Sequence, residues 1–219
     1  MRATPNLAAI CVGAAAWVLL SCGAPKVIPP GERRRIELFN GTDMTNWKVF
    51  PADAPAETWT VRDGVLVCAG QPVGYLRTER KYTSFELELE WRFDPTKGAG
   101  NSGVLLRVQH PDKVWPQSIE AQLESGSAGD IWNIDEFPMS TNRNRTNGRH
   151  TAKAKPSNEK PLGEWNQYSI RLVGENLQLT VNGVVQNTAT RCEVIEGWIA
   201  LQSEGAYIEF RNIRLRPLP

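Results

Sequence analysis

The clearest sign of fold class lies in residues 85–93, which read FELELEWRF. Apolar and charged residues alternate strictly over this segment. In an extended strand that alternation puts every apolar side chain on one face and every charged side chain on the other. An α-helix does not separate them in this way, because its side chains repeat every 3.6 residues. The segment therefore predicts a β-strand with one buried face.

Seven further segments carry short apolar or alternating runs bounded by turn residues, at 59–67, 104–108, 118–123, 167–173, 177–181, 198–202 and 208–215. Asp63-Gly64 and Asn182-Gly183 are typical of two-residue hairpin turns, because these residue types tolerate positive φ. We expect an all-β, concanavalin A-like jelly-roll β-sandwich of two antiparallel sheets, formed by a single domain over residues 36–219. Residues 125–163 show no recognisable strand, and we interpret them as a long loop, either a lid over one end of the sandwich or a mobile surface loop.

The N-terminal residues have the pattern of a targeting segment. Arg2 precedes an apolar run over residues 7–20, which is too short to span a bilayer and has the length of a signal peptide. The run ends in LLSC at residues 19–22, which predicts a lipoprotein signal peptide at 1–21, lipidation of Cys22 and a tether at 22–35. We expect an exported lipoprotein on the periplasmic side or in the cell envelope, with the membrane as a partner. An ordinary signal peptide is the alternative.

Composition excludes several classes of function. Lys and Arg total 25 against 24 Asp and Glu, so no broad basic surface for nucleic acid is expected. With 2 His, 4 Cys and no CxxC pair, zinc-finger and multi-histidine centres are not predicted either. No cofactor is predicted with certainty, and a divalent cation held by carboxylates from separate strands stays open. Cys68 and Cys192 are compatible with a disulfide or with two buried thiols.

A candidate site follows from the strand around residue 120. Glu120 and Gln122 alternate with apolar residues, so a carboxylate and an amide project from the same face, about 7 Å apart. Arg107 interrupts an apolar strand and requires a carboxylate partner or a ligand. Should the polar faces of several strands converge, they form a polar cup; a buried structural ion-pair network is the competing interpretation. The expected members of the cup are Glu90, Arg107, Glu120, Gln122 and Gln202.

Further candidates for sugar binding flank these strands. Trp115 and Trp132 lie in predicted loops, where an aromatic ring can stack on a sugar. Asn101 and Ser102 belong to a predicted turn or bulge whose polar groups could face the cup. Gln202 of the cup is also a candidate for substrate binding, and two more polar residues complete the set: His150 and Glu204.

Ten segments in order resemble the 3-keto-disaccharide hydrolase domain family, formerly a domain of unknown function. They begin at residues 38, 59, 75, 85, 101, 119, 163, 181, 199 and 210, and read LFNGT, WTVRDGVL, YLRT, FELELEWR, NSGVLLR, IEAQL, GEWN, VNG, IALQ and FRNI. The resemblance implies a concanavalin-like jelly roll and activity on glucosides already oxidised at C3, in exported carbohydrate catabolism. The positions that match its polar pattern are Glu90, Arg92, Asn101, Ser102, Arg107, Glu120, Gln122, Gln202 and Glu204.

The chemistry of such a substrate suggests roles. A ketone at C3 acidifies the hydrogen at C2, a carboxylate removes it, the glycosidic oxygen leaves C1, and water then adds to the enone. We expect Glu120 to be the base, Arg107 with Gln122 to stabilise the enolate, and Glu90 or His150 to donate a proton. One alternative is a direct two-carboxylate glycoside hydrolase, although Gln122 stands where such a strand would carry an acid. The other is a non-catalytic, lectin-like carbohydrate-binding lipoprotein.

Overall fold

The computed structural model describes residue 1 and residues 34–219, so the expected signal peptide, Cys22 and most of the tether lie outside the described residues. The described chain contains short 3-10 turns at Ala56–Thr58 and Arg143–Arg145 and is otherwise built from strands. The strands are β1 Ile36–Glu37, β2 Trp47–Phe50, β3 Trp59–Arg62, β4 Val65–Cys68, β5 Gly74–Thr78, β6 Phe85–Phe93, β7 Gly103–Val108, β8 Ser118–Gln122, β9 Ile131–Ile134, β10 Thr146–Asn147, β11 His150–Thr151, β12 Asn166–Val173, β13 Asn176–Val181, β14 Val184–Ala189, β15 Trp198–Ser203 and β16 Ile208–Pro217.

Within residues 34–219 these strands form two eight-stranded sheets, and every pair of neighbouring strands is antiparallel. The first sheet runs β14-β13-β12-β6-β16-β4-β3, with β1 also paired to β16. The second runs β10-β11-β9-β8-β7-β15-β5-β2. The predicted sandwich of two antiparallel sheets is confirmed.

The alternation in β6 explains how the first sheet packs. Its apolar side chains, Phe85, Leu87, Leu89, Trp91 and Phe93, are all buried in the main core cluster. That cluster also contains inward-facing residues of β7, β8 and β15 from the second sheet, so one apolar layer holds the two sheets together. The other face of β6 points outward and carries only charged residues.

The two hairpin signals have the predicted geometry. Asp63 and Gly64 lie between β3 and β4 with φ of 49° and 77°. Asn182 and Gly183 lie between β13 and β14 with φ of 45° and 80°. Both central residues of each turn therefore have positive φ, as type I′ hairpins require.

Residues 125–163 differ from the expected structureless loop. Three short strands, β9, β10 and β11, pair in this segment and extend the second sheet beyond β8. Strands of two to four residues are too short to show alternation, which is why the sequence pattern missed them. The segment therefore forms one edge of the second sheet.

Cys68 and Cys192 are buried free thiols. Burial raises the pKa of both, for Cys192 to about 11, so both are neutral at physiological pH. Among the described residues, no helix has the length and apolarity needed to cross a bilayer.

Candidate functional site

Polar side chains collect on the outer face of the second sheet, around β8. Glu120 pairs with Leu105 of β7 on one side and with Trp132 of β9 on the other. Gln122 pairs with Gly103. Because directly opposed residues in antiparallel strands point to the same face, Glu120 and Trp132 project together. The local sequence thus places an acid between an aliphatic and an aromatic side chain.

Gly103 forms the floor of this arrangement. A Cβ atom on Gly103 would lie 2.0 Å from Oε1 of Gln202 and 2.6 Å from Oε1 of Glu120. The carboxylate from β8 and the amide from β15 therefore meet over a position where any side chain would collide with them. This close approach explains the need for glycine at the start of β7.

Above this floor lies a hollow of about 240 Å³. Its walls combine three carboxylates, two indole rings, two amides, one guanidinium and one aliphatic side chain. Such a mixture of flat apolar surfaces and converging polar groups suits a hydroxylated ring. The lining residues are Asn101, Trp115, Glu120, Gln122, Glu124, Trp132, Ile134, Arg149 and Glu204.

Several buried polar atoms around the hollow have no hydrogen-bond partner. They are Oδ1 of Asn101, Oε2 of Glu204 and both polar atoms of the Gln202 amide, whose side chain is in a residue only 1% exposed. Buried polar groups are almost always hydrogen-bonded in folded proteins. Their grouping on one side of the hollow indicates groups reserved for a ligand.

Two carboxyl groups of the hollow, those of Glu120 and Glu204, have raised pKa values. Burial, together with the nearby charge of Glu204, raises the pKa of Glu120 to about 8, against a partial opposing effect of Arg149. Burial and the charge of Glu124 raise the pKa of Glu204 to about 7. Near neutral pH this pair therefore holds close to one proton, which provides an acid and a base in the same hollow.

Gln122 and Arg149 supply hydrogen-bond donors. Oε1 of Gln122 accepts hydrogen bonds from the backbone N–H groups of Leu123 and Glu124, both at 2.8 Å. The carbonyl end of the amide is therefore fixed, and the Nε2 hydrogens remain as donors to the hollow. The Arg149 guanidinium lies 5.7 Å from the ring centre of Trp132, which keeps a positive charge at the same wall.

His150 and Trp132 are brought to this face by β11 and β9, although only Trp132 lines the hollow. Nε2 of His150 lies 2.7 Å from Oδ2 of Asp130, and its ring centre is 4.7 Å from that of Trp132. Asp130 also accepts a hydrogen bond from the Lys153 backbone N–H at 2.8 Å. His150 therefore supports Trp132 from behind, which differs from its expected position as a proton donor.

Glu90 and Arg92 lie elsewhere, which corrects the expectation that Glu90 joins the cup. Both are on the outward face of β6 in the first sheet, whereas Glu120 is on the outward face of the second. Arg211 donates to Glu90 at 2.6 Å, and Arg92 donates to Glu209 at 2.6 Å. The charged face of β6 therefore forms cross-strand ion pairs with β16.

Arg107 is likewise not in the hollow. It has a φ of 51° at an irregularity where β7 pairs with β15, and its side chain is completely buried. The guanidinium donates to three backbone carbonyls: those of Thr83 and Gly174, each at 2.7 Å, and that of Glu193. We expected a carboxylate partner or a ligand, but backbone carbonyls satisfy this arginine, so its position corresponds to a structural role.

Ser102 is near the hollow without lining it. Its buried hydroxyl donates to the backbone carbonyl of Gln202 at 2.9 Å, which ties β7 to β15 beneath the site. The expected convergence therefore holds for Asn101, Glu120, Gln122, Trp132, Gln202 and Glu204.

Three lining residues, Glu124, Ile134 and Arg149, were not among the candidates expected from the sequence. Arg149 belongs to the two-residue turn between β10 and β11, where Gly148 has a φ of 57°. Gly148, at the first position of this turn, is a hairpin signal in a segment interpreted as loop. Glu124 continues the same alternation as Glu120 and Gln122, which was enough to include it. In the described part of the chain, no three His, Cys, Asp or Glu residues group as metal ligands.

Comparison with known proteins places this geometry in a sequence family. The model of the 3-keto-alpha-glucoside-1,2-lyase-like domain matches residues 34–216. A 3-keto-disaccharide hydrolase from Bacteroides thetaiotaomicron is 26% identical over an alignment of 230 positions, which covers 84% of this chain and 78% of that protein. These matches agree with the resemblance found in the ten ordered segments.

Solved structures confirm the jelly-roll fold. A protein from Parabacteroides distasonis described as a glycosyl hydrolase has a TM-score of 0.64 at 20% identity, covering 88% of this chain and 99% of that one. A β-glucanase from Bacillus licheniformis has a TM-score of 0.59 at 12% identity, covering 87% of this chain and 100% of that one. At these identities the likeness concerns the fold alone.

Proposed function

Because the chain belongs to the 3-keto-alpha-glucoside-1,2-lyase-like domain family, we propose that it cleaves the glycosidic bond of 3-keto-glucosides or 3-keto-disaccharides by elimination followed by hydration. The observation that carries this proposal is the Glu120 carboxylate, 4% exposed and with a pKa of about 8, held in a hollow with unpartnered sugar-binding groups. The relative from Bacteroides thetaiotaomicron, named for the same substrate class, supports it.

Glu120 is the base that removes the C2 hydrogen. The hydrogen next to a ketone is only weakly acidic, so a carboxylate with a raised pKa is a better acceptor than an ordinary one. The electron pair of the C2–H bond moves into the C2–C3 bond, and the negative charge develops on the C3 oxygen. Among the described residues none donates a hydrogen bond to the Glu120 carboxylate, so its oxygens are available to accept this proton.

Arg149 and the Nε2 group of Gln122 stabilise the negative charge on the C3 oxygen. The atoms C2 and C3 are bonded to each other, so the base and the donors must lie side by side. Trp132 pairs directly with Glu120 across β8 and β9, and the Arg149 guanidinium lies 5.7 Å from the ring centre of Trp132. The guanidinium therefore lies on the Glu120 side of the hollow, where the geometry requires it.

Glu204 protonates the leaving oxygen on C1. Its pKa of about 7 leaves about half of the Glu204 carboxyls protonated at pH 7, and turnover uses the molecules in which Glu204 carries the proton and Glu120 is ionised. The C1–O bond breaks as the electron pair returns from the enolate, giving a free alcohol and a C1=C2 enone. Water then adds at C1, C2 recovers a proton, and the sum of the two steps is hydrolysis. Trp115, Trp132, Asn101 and Gln202 hold the ring.

The test compares oxidised and unoxidised substrates with the purified protein. We expect release of alcohol from a 3-keto-glucoside and none from the parent glucoside, because only the ketone acidifies C2. Glu120→Gln keeps shape and binding but has no base, so it is expected to bind substrate without turnover. Equal cleavage of the parent glucoside supports direct hydrolysis instead, and saturable binding without release of product supports a lectin.

We also propose that the protein is an exported lipoprotein anchored through Cys22. The apolar run at 7–20 and the LLSC sequence at 19–22 support this, since they provide the recognition pattern for lipid attachment to a thiol. Metabolic labelling with a fatty acid in the source bacterium is expected to label the protein. Cys22→Ser is expected to remove the label, and labelling that persists in this variant contradicts the proposal.

A further inference from the structure

The catalytic hollow continues into a second hollow at each end. One, of about 390 Å³, lies between residues 97–101 and 204–207 and shares Asn101 and Glu204 with the catalytic hollow. The other, of about 560 Å³, is lined by residues 113–115, 135, 136 and 149 and shares Trp115 and Arg149 with it. The three hollows form one groove, so a substrate larger than one ring has two possible directions of entry.

The order of the catalytic groups along this groove distinguishes the two directions. Arg149 lies at the junction with the larger end hollow, and Glu204 lies at the junction with the smaller one. In the substrate, C3, C2 and C1 follow one another around the ring. With the C3 oxygen at Arg149 and C2 at Glu120, the C1 oxygen points towards Glu204.

We infer that the hollow between residues 97–101 and 204–207 binds the leaving group, and that its occupant is a compact hydroxylated ring, such as the second sugar of a disaccharide. This inference rests on the proposed function and names its leaving-group site. The opposite hollow, with Trp115 41% exposed, then lies beside the far end of the oxidised ring.

The walls of the leaving-group hollow suit such an occupant. Most of the lining residues are glycine or alanine, whose small side chains leave room for a ring. Its base is closed because the two loops touch: a Cβ on Gly100 would lie 2.1 Å from the Cβ of Ala206. Lys97 and Tyr207 add polar groups at the rim. Asn101, whose Oδ1 is buried without a partner, stands where the two rings would join.

A pair of blocking variants tests this direction. Ala99→Trp fills the leaving-group hollow from an exposed loop position, and Val114→Trp fills the opposite hollow from an exposed position. Each is assayed with a 3-keto-disaccharide and with the methyl 3-keto-glucoside, whose leaving group is too small to reach either end. We expect Ala99→Trp to lower kcat/KM for the disaccharide by roughly tenfold or more and to leave the methyl glucoside nearly unchanged.

The outcomes separate this inference from the proposed function. Cleavage of neither substrate by the unmodified protein overturns the proposed function, and the leaving-group site with it. If the unmodified protein cleaves both, equal effects of Ala99→Trp on the two substrates overturn the leaving-group site alone. If Val114→Trp selectively loses disaccharide cleavage, the leaving group binds in the opposite hollow, and the inferred leaving-group site is overturned. Ala99→Leu introduces a smaller side chain and is expected to show the same selectivity to a lesser degree. Turnover of the methyl 3-keto-glucoside shows that each variant is folded.

Discussion

Replacing Glu120 by glutamine is expected to abolish turnover and yet make the protein more stable at neutral pH. The carboxyl has a pKa of about 8 in the fold, against a usual value of 4.5. Between these two pH values the unfolded chain ionises this group and the folded chain keeps it neutral. Stability is therefore unaffected below pH 4.5 and falls as the pH rises towards 8.

The size of the effect follows from the shift. Each unit of difference in pKa corresponds to about 1.4 kcal/mol, so at pH 7 the buried acid costs on the order of 3 kcal/mol of unfolding free energy. Glutamine has nearly the same shape and never ionises. Glu120→Gln is therefore expected to raise the unfolding free energy by about that amount at pH 7 and by close to nothing at pH 4.

Urea unfolding of both proteins at pH 4 and pH 7, followed by tryptophan fluorescence, measures this difference. Glu57→Gln changes an exposed glutamate and provides the matched control, which is expected to show little change at either pH. The reasoning is refuted if Glu120→Gln has the same effect at both pH values, or if it destabilises the fold at pH 7.

Five other expectations concern activity and stability. The pH profile of kcat/KM is expected to be bell-shaped, with apparent values of about 7 and about 8 from the Glu120–Glu204 pair. Glu204→Gln should lower turnover and, by removing a nearby negative charge, shift the rising limb due to Glu120 to lower pH, so an unshifted limb contradicts the coupling. Glu90→Gln removes an ion pair on the other sheet and should leave kcat/KM unchanged, with a change in unfolding free energy within about 1 kcal/mol. A large loss of activity would indicate that Glu90 takes part in catalysis. Arg107→Met leaves buried carbonyls unsatisfied and should lower the unfolding free energy measured in urea by several kcal/mol. A variant as stable as the wild type would contradict the structural role of Arg107. Gly103→Ala should reduce activity strongly, because the added Cβ displaces the Glu120 carboxylate and the Gln202 amide. Circular dichroism should show that the strand content is intact. A fully active variant would contradict the need for glycine at this position.

Much of the fold was accessible from the sequence because long strands display their burial pattern. The nine residues of β6 were found with their exact ends, since one face is apolar and the other charged throughout. The hairpins at Asp63-Gly64 and Asn182-Gly183 were found because turn geometry depends on two residues alone. Strands β9, β10 and β11 were missed because two to four residues carry no period.

The site was only partly accessible for a different reason. Alternation tells which residues share a face of one strand, and it correctly grouped Glu120 with Gln122. It does not tell which sheet a strand joins, and Glu90 was therefore combined with residues of the opposite sheet. Arg107 was misplaced because an irregularity in β7 turns its side chain away from the face that strict alternation predicts. To place Arg149 in the site, one must know that β11 pairs with β9, and no local sequence pattern shows this pairing.

Removal of the C2 hydrogen by Glu120 before the glycosidic bond breaks is open to a direct test by an isotope effect. A 3-keto-glucoside carrying deuterium at C2 is compared with its protium form in initial-rate measurements of kcat/KM. We expect slower cleavage of the deuterated substrate, with the label lost to solvent water in the released sugar. Equal rates, together with full retention of deuterium at C2 in the product, would contradict it.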